Sequence, residues 1–184
     1  MLSDIDLFLT RHINSPAGHH PVVDKLTIVA TEFTVPIMVL AVATRWWSRI
    51  EREEERILAV EAGLTFLTGL LINQAILLFV SRIRPYELGI THLIVLPSAD
   101  PSFPSDHASA SVAIVAAMWL NHHARRAILF AIPAALLIVS RVYVGTHYVS
   151  DVIGGAGTAI VAAMLVRTTD AIRAPITAKL IRFP

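Results

Sequence analysis

The sequence predicts an all-α polytopic membrane bundle, with about five transmembrane helices plus an N-terminal interfacial helix. Three observations predict it. Hydrophobic residues make up 55% of the 184 residues and charged residues only 16%, where soluble domains carry about 25%. Mean hydropathy is +0.65. The few charges are also segregated, leaving five apolar stretches. A water-facing surface needs more charge than this, which excludes a soluble enzyme and a disordered chain. The net charge of +1 leaves no electrostatic footprint for nucleic acid. With no cysteine there is no disulfide, thiolate metal site or cysteine nucleophile.

The N-terminal segment reads as an amphipathic helix. Ser3-Asp4 forms an N-cap with an acidic first turn, and Leu2, Ile5, Phe8, Leu9 and Ile13 repeat at helical spacing. Asn14-Ser15-Pro16 and Gly18 then stop it. A basic n-region and a small-residue cleavage site are missing, so it is not read as a signal peptide. It is expected to lie in the membrane interface.

The first apolar stretch, about residues 26–47, carries Glu32 and Arg45; the second, 57–81, carries Glu61 alone. A hydrocarbon core of roughly 30 Å takes about 20 residues of helix, which both satisfy. The third stretch, 108–124, has no Asp, Glu, Lys or Arg, the fourth, 127–149, has only Arg141, and the fifth, 152–166, has none. The third and fifth are short, and are expected to extend into flanking polar turns or to sit in thinned bilayer. None shows the polar face of an amphipathic surface helix. Gly154, Gly155 and Gly157 are expected to allow close helix packing. Glu61 is expected to snorkel inward; Glu32, nearer the outward face, is a minor candidate for pairing with an arginine. Asn73, about 16 Å below Arg84 along a continuous helix, is expected to join helices. The whole chain, 1–184, reads as one domain with a motif-bearing core at about 77–151.

Five spans put the termini on opposite sides. Ten of the 15 Lys and Arg residues fall on one side: Arg45, Arg49, Arg52, Arg56, Arg125, Arg126, Arg167, Arg173, Lys179 and Arg182. That side is expected to be cytoplasmic. The N-terminus, the 82–106 loop and the 142–150 turn then face the exterior or periplasm, across the cytoplasmic (inner) membrane.

Three polar clusters share that outward face: Ser81-Arg82-Ile83-Arg84-Pro85; Phe103-Pro104-Ser105-Asp106-His107-Ala108-Ser109; and the run from Ser140 to Asp151. Nothing in the choice of spans forced them to agree. Arginine is the planar fork suited to phosphate oxygens. Ser105, just before an apolar run, places the amides of residues 106–108 at a helix N-terminus, where an anion is held. Two histidines beside such an anion site indicate chemistry on a phosphate. His147 and Asp151, four residues apart, meet on one helical face if the fifth span begins near His147. A carboxylate on one imidazole nitrogen leaves the other free as nucleophile or base. His107, His147 and Asp151 also form a two-His, one-carboxylate set of metal-ligating type, against which Arg84 and Arg141 weigh by repelling a divalent cation. A small transporter using the intramembrane charges as a pathway is the alternative of a different class.

Together the clusters resemble the signature of the type 2 phosphatidic acid phosphatase family of membrane lipid phosphatases. The family pattern is Lys-x6-Arg-Pro, then Pro-Ser-Gly-His, then Ser-Arg-x5-His-x3-Asp. Here Arg84-Pro85, Pro104-Ser105-Asp106-His107, and Ser140-Arg141 with His147 and Asp151 match in order. Two positions depart from it: Leu77 stands where the family has lysine, with Arg82 nearby, and Asp106 where it has glycine. The Phe-Pro-Ser-Asp-His-Ala-Ser form, and Leu7-Phe8, Ile13-Asn14, Ala17-Gly18, Pro21 and Asp24, are similar to the bacitracin-resistance branch, the undecaprenyl pyrophosphate phosphatases.

The resemblance implies that His147 attacks the terminal phosphorus to form a phosphohistidine and that Asp151 orients it. It implies that His107 protonates the leaving oxygen and then activates water. Arg84, Arg141, Ser105 and the amides near Asp106 and His107 would hold the phosphoryl oxygens, with no metal or organic cofactor. The substrate would be an isoprenoid or phospholipid phosphate in the bilayer. Undecaprenyl pyrophosphate comes first, with phosphatidylglycerophosphate, phosphatidate and lipid A phosphates, or phosphate transfer to another lipid, as alternatives. The 88–104 loop, rich in Ile and Leu, is expected either to guide the lipid or to pack over the spans.

Overall fold

The computed structural model describes residues 4–169, 174, 175 and 177–179. Ser3 of the expected N-cap, and Arg173 and Arg182 of the tail, lie outside the described residues. Those described form helices with no strand: α1 (Asp4–Asn14), α2 (Pro21–Thr44, with a tight turn at Arg45–Trp47), α3 (Arg52–Leu77), α4 (Asp106–Leu120), α5 (Ala124–Tyr143) and α6 (Val149–Thr168). By length and composition, α2, α3, α5 and α6 can each cross a membrane, and α4 is the shorter apolar helix. The five apolar stretches therefore become five helices. The fifth lengthens to 20 residues through Val149-Ser150-Asp151 at its start and Arg167-Thr168 at its end. The third stops at Leu120, because the chain reverses at His122, which has φ +64°.

Helix α4 is the hub, packed against α3, α5 and α6 and also touching α2. Its 15 residues rise only about 22 Å at 1.5 Å each, less than the apolar thickness of a bilayer. The neighbouring helices screen it from lipid. Small buried residues, among them Ala108, Ser109, Ala110, Ser111 and Ala113, let the neighbours approach closely. Gly69 of α3 is such a contact: a Cβ there would lie 2.9 Å from Ser109 Oγ. Gly155 of α6 is tighter, since a Cβ would meet the Ser105 carbonyl oxygen at 2.3 Å, whereas Gly157 faces open space.

Two boundaries differ from expectation. Helix α3 ends at Leu77 instead of reaching residue 81, so residues 78–84 leave the helix axis before Pro85, which cannot continue a helix. Helix α5 ends at Tyr143, well short of residue 149. The chain then turns at Gly145, with φ +89°, where a Cβ would lie 2.5 Å from the His92 carbonyl oxygen. Only glycine fits that turn.

Helix α1 is amphipathic, but it buries its polar stripe. Asp6, Thr10 and Asn14 are buried, while Ile5 and Phe8 are 71% and 66% exposed. Four-residue spacing puts the three polar groups on one face, and each bonds to a turn near the outward ends of α5 and α6. Asn14 Nδ2 donates to the carbonyls of His92 (2.9 Å) and Tyr143 (2.7 Å), and its Oδ1 accepts from the His92 amide at 2.7 Å. Thr10 Oγ1 accepts from the Val149 amide at 3.1 Å. The apolar face is left to the lipid interface. The 88–104 loop packs over the bundle, with Ile94 and Val95 against Ala17, Tyr143 and Val144; the next residue, Leu96, is outside this cluster and 90% exposed.

Of the two intramembrane glutamates, one departs from expectation. Glu61 is buried in the bundle instead of reaching an interface. Glu32 is exposed, and its neighbour Thr31 meets an arginine in its place, accepting from Arg141 Nη1 at 3.1 Å.

Asn14→Ala deletes three hydrogen bonds at once and strands buried backbone groups. It is expected to cost about 2–3 kcal/mol, read as a lower midpoint in thermal unfolding of the purified protein in detergent.

Candidate active site

At one end of the bundle, the C-terminal ends of α3 and α5 and the N-terminal ends of α4 and α6 enclose a cavity of about 170 Å³, lined by Arg84, Asp106, His107, Arg141 and His147 together with Gln74, Leu77, Ser98, Asp100, Pro101 and Pro104. Three separate segments, spread between Arg84 and His147 in the sequence, thus share one wall. Asp151 stands behind His147, and Ser105 caps α4.

His147 precedes α6 instead of opening it, since the helix starts at Val149 with Tyr148 as its N-cap. The helical i, i+4 geometry expected for His147 and Asp151 therefore does not apply. Asp151 is the third residue of α6, and its Oδ2 accepts from the Tyr148 amide at 2.8 Å. His147 Nδ1 lies 3.6 Å from that Oδ2 but only 2.8 Å from the Ser102 carbonyl oxygen. A carbonyl only accepts, so Nδ1 carries the proton and Nε2 keeps its lone pair. Nε2 lies 3.5 Å from Arg84 Nη1, at the cavity wall. Burial, with Arg141 and Arg84 nearby, pulls the imidazole down to about 4 against the opposing pull of Asp151. The ring is therefore neutral at neutral pH.

Ser102 is the residue that sequence reasoning missed. It is fully buried and works through three atoms. Its carbonyl takes the His147 proton, its Oγ donates to Asp151 Oδ2 at 2.5 Å, and its amide donates to the Arg82 carbonyl at 2.8 Å. Its partners lie 20 to 49 positions away, so no local spacing marks it; the one clue is its place just before Phe103-Pro104-Ser105.

Arg82 does not stand in for the missing family lysine. Its guanidinium lies over the Tyr148 ring, 3.9 Å from the centroid, behind His147. It pairs with Asp151 Oδ1, Ser150 Oγ (2.7 Å) and Asp6 Oδ2 (2.8 Å). Burial works to raise the Asp6 carboxyl, but hydrogen bonds from Ser150 and Arg82 outweigh it and hold it below its ordinary value. Leu77 lines the cavity without a charge.

The two arginines in the cavity differ in how committed they are. Arg84 Nε donates to the Asp100 carbonyl at 2.8 Å, Nη1 to Thr146 O at 3.0 Å and Nη2 to Ser98 Oγ at 3.2 Å. It is a fixed positive wall. Arg141 Nε is buried with no hydrogen-bond partner, as is Ser105 Oγ. Unmet buried donors are costly; Arg141 lines the cavity, and Ser105 lies between two of its lining residues, Pro104 and Asp106. The first turn of α4 adds amides that no helix carbonyl can reach.

Asp106 lines the same cavity, and its Oδ1 accepts from Asn73 Nδ2 at 2.7 Å. Asn73 is thus level with the site and not 16 Å beneath it. The expectation assumed one helix through Arg84, and the early end of α3 removes that rise. As a metal-ligand set, His107, His147 and Asp151 do not converge: both Asp151 oxygens are engaged by Arg82, Ser102 and the Tyr148 amide.

The comparisons with known proteins come to the same place. The family model of the PAP2 superfamily matches residues 58–173. Undecaprenyl-diphosphatase BcrC of Bacillus subtilis (strain 168) is 32% identical over 162 residues, 88% of this chain and 82% of that protein. Among solved structures, the PAP2 type phosphatidylglycerolphosphate phosphatase from Bacillus subtilis has a TM-score of 0.65 at 21% identity, covering 98% of this chain and 88% of that one. Aquifex aeolicus LpxE has a TM-score of 0.69 at 18% identity, covering 90% and 98%.

Arg82→Leu is expected to leave Asp6 and Asp151 buried without their counter-charge. That should cost about 3–5 kcal/mol, measured by thermal unfolding against a wild-type control. A second outcome concerns pH. An unfolded chain takes up a proton at His147 below about 6.5, and the folded one only near 4. The contribution of this group is complete above 6.5 and is lost as the pH falls from there towards 4, by about 1.4 kcal/mol per unit. His147→Gln is expected to flatten the unfolding midpoint against pH over that window.

With the family model matching residues 58–173, and a relative 32% identical over 88% of the chain, the all-helical bundle has its family: the chain belongs to the PAP2 superfamily.

Proposed function

We propose that this PAP2-type membrane lipid phosphatase removes the terminal phosphate of undecaprenyl pyrophosphate through a phosphohistidine intermediate. The observation that carries the reading is the His147 ring, with its Nδ1–H held by the Ser102 carbonyl and its Nε2 left as a lone pair at the wall of a cavity that also holds Arg84 and Arg141. The choice of lipid draws on the resemblance to undecaprenyl-diphosphatase BcrC.

In this reading the terminal phosphoryl group meets Arg141 Nε, Ser105 Oγ and the first amides of α4, with Arg84 as fixed positive charge. His147 Nε2 attacks phosphorus, the P–N bond forms, and the bridging P–O bond breaks. His107 gives its proton to the leaving lipid phosphate oxygen. The imidazole ring now carries positive charge, which the Ser102 carbonyl and the Asp151 carboxylate, 3.6 Å from Nδ1, stabilise. His107 then takes a proton from water as that water attacks phosphorus. Inorganic phosphate leaves, and His147 is neutral again. The cavity opens at helix ends, so a headgroup can enter while its isoprenoid tail stays in the bilayer. We place this end of the bundle on the exterior or periplasmic side, the N-terminus with it and the C-terminus in the cytoplasm, because the other end carries most of the Lys and Arg residues.

The test is phosphate release by the purified protein from undecaprenyl pyrophosphate, phosphatidylglycerophosphate, phosphatidate and lipid A 1-phosphate, with and without EDTA. Undecaprenyl pyrophosphate is expected to turn over fastest, unaffected by EDTA. His147→Ala and His107→Ala are expected to lose roughly 10³-fold or more in kcat. Faster turnover of a glycerophospholipid would reassign the substrate. Loss of activity in EDTA, restored by a divalent cation, would overturn the mechanism.

A further inference from the structure

The opposite end of the bundle holds a second cavity, unconnected with the chemistry above. It has about 360 Å³ and lies where the C-terminal end of α2, the start of α3 and the start of α5 meet, at Arg45, Glu55 and Arg126. Glu55 is buried, and its carboxylate is shared: Arg45 binds it through Nε (3.0 Å) and Nη2 (2.7 Å), and Arg126 through Nη2 at 2.6 Å. Two cations on one carboxylate leave these three residues with a net positive charge, while Glu51 acts on Arg45 from outside the cavity lining. Arg126 Nη1 is buried with no hydrogen-bond partner. An unpaired buried guanidinium nitrogen is expensive, and Arg126 lines this cavity.

An apolar cavity of about 160 Å³ adjoins it, sharing Val42 and Ala59 and running on past Gly63 to Phe66 and Ile114. The two make one groove between α2 and α3, which barely touch each other. A Cβ at Gly63 would meet nothing within 4 Å, so the groove is open there. Its mouth sits beside Trp46 and Trp47, the kind of residue that marks the headgroup level; Trp47 is 70% exposed, and Trp46 carries Arg56 4.7 Å above its ring.

We propose that this groove binds one anionic phospholipid from the leaflet opposite the active site, with its phosphate on Arg126 Nη1 and Arg45 and one acyl chain lying along Gly63. The charge at the mouth selects an anion. The apolar channel descends along the helices to membrane depth, as an acyl chain does and a soluble anion does not.

The test uses the purified full-length protein in detergent and native mass spectrometry with phosphatidylglycerol or phosphatidylcholine of the same acyl chains. Phosphatidylglycerol is expected to be retained about tenfold more tightly, the worth of one charge-assisted hydrogen bond. Arg126→Gln should erase that preference, and Gly63→Phe should lower retention of both lipids. Since the chain has no cysteine, Gly63→Cys carries its sole thiol in open space. Phosphatidylglycerol should slow labelling of that thiol by a membrane-soluble maleimide, and phosphatidylcholine should not. Wild-type retention in both Arg126→Gln and Gly63→Phe, or equal labelling under the two lipids, would overturn the proposal. So would a wild-type dimer that Gly63→Phe abolishes, since the groove would then belong to a second copy.

Discussion

Asp151 is the constraint on which the rest of the site depends. A fully buried carboxylate is tolerated only when its charge is matched and its lone pairs are filled. Four groups from different parts of the chain meet that demand: the Arg82 guanidinium, the Ser102 hydroxyl, the Tyr148 amide and, at longer range, the His147 ring. Satisfying one anion therefore fixes the start of α6, the approach to α4 and the loop after α3 relative to one another. Its effect on His147 is mostly indirect. Asp151 positions Ser102, and the Ser102 carbonyl sets the tautomer.

This arrangement divides the site's charges into two layers. Arg82 is shared by the Asp6 and Asp151 carboxylates behind the imidazole. Arg84 and Arg141 face the cavity, where Arg84 is spent on loop carbonyls while Arg141 Nε and Ser105 Oγ stay unmet. The front layer therefore has binding capacity to offer, and the back layer offers rigidity. Asp106 fits the same logic, since Asn73 engages one of its oxygens at the helix end that best tolerates a carboxylate.

Hydropathy made the helices legible, because a bilayer imposes a length and an apolar composition that a single sequence can display. The outward grouping of Arg84, His107, Arg141 and His147 was legible for the same reason: alternating spans leave two ends, and the polar clusters chose one. What the sequence concealed were contacts between loops. The end of α3 at Leu77 is set by how the 78–105 segment folds over the bundle, so the depth of Asn73 could not be counted in residues. The tautomer at His147 hangs on a backbone carbonyl, and backbone carbonyls carry no sequence signal. The α1 stripe of Asp6, Thr10 and Asn14 was present as a four-residue period, but its inward orientation becomes apparent only once α6 and the 88–104 loop supply partners.

That stripe has a bearing on biogenesis. Asp6 and Ser150, and Thr10 and Val149, touch across some 140 positions of chain, and contacts of such separation close late because the intervening loop entropy must be overcome first. Until α6 is in place, the contacts of Asp6 with Ser150 and of Thr10 with Val149 cannot form, so the two helices lock one another as a latch and its catch.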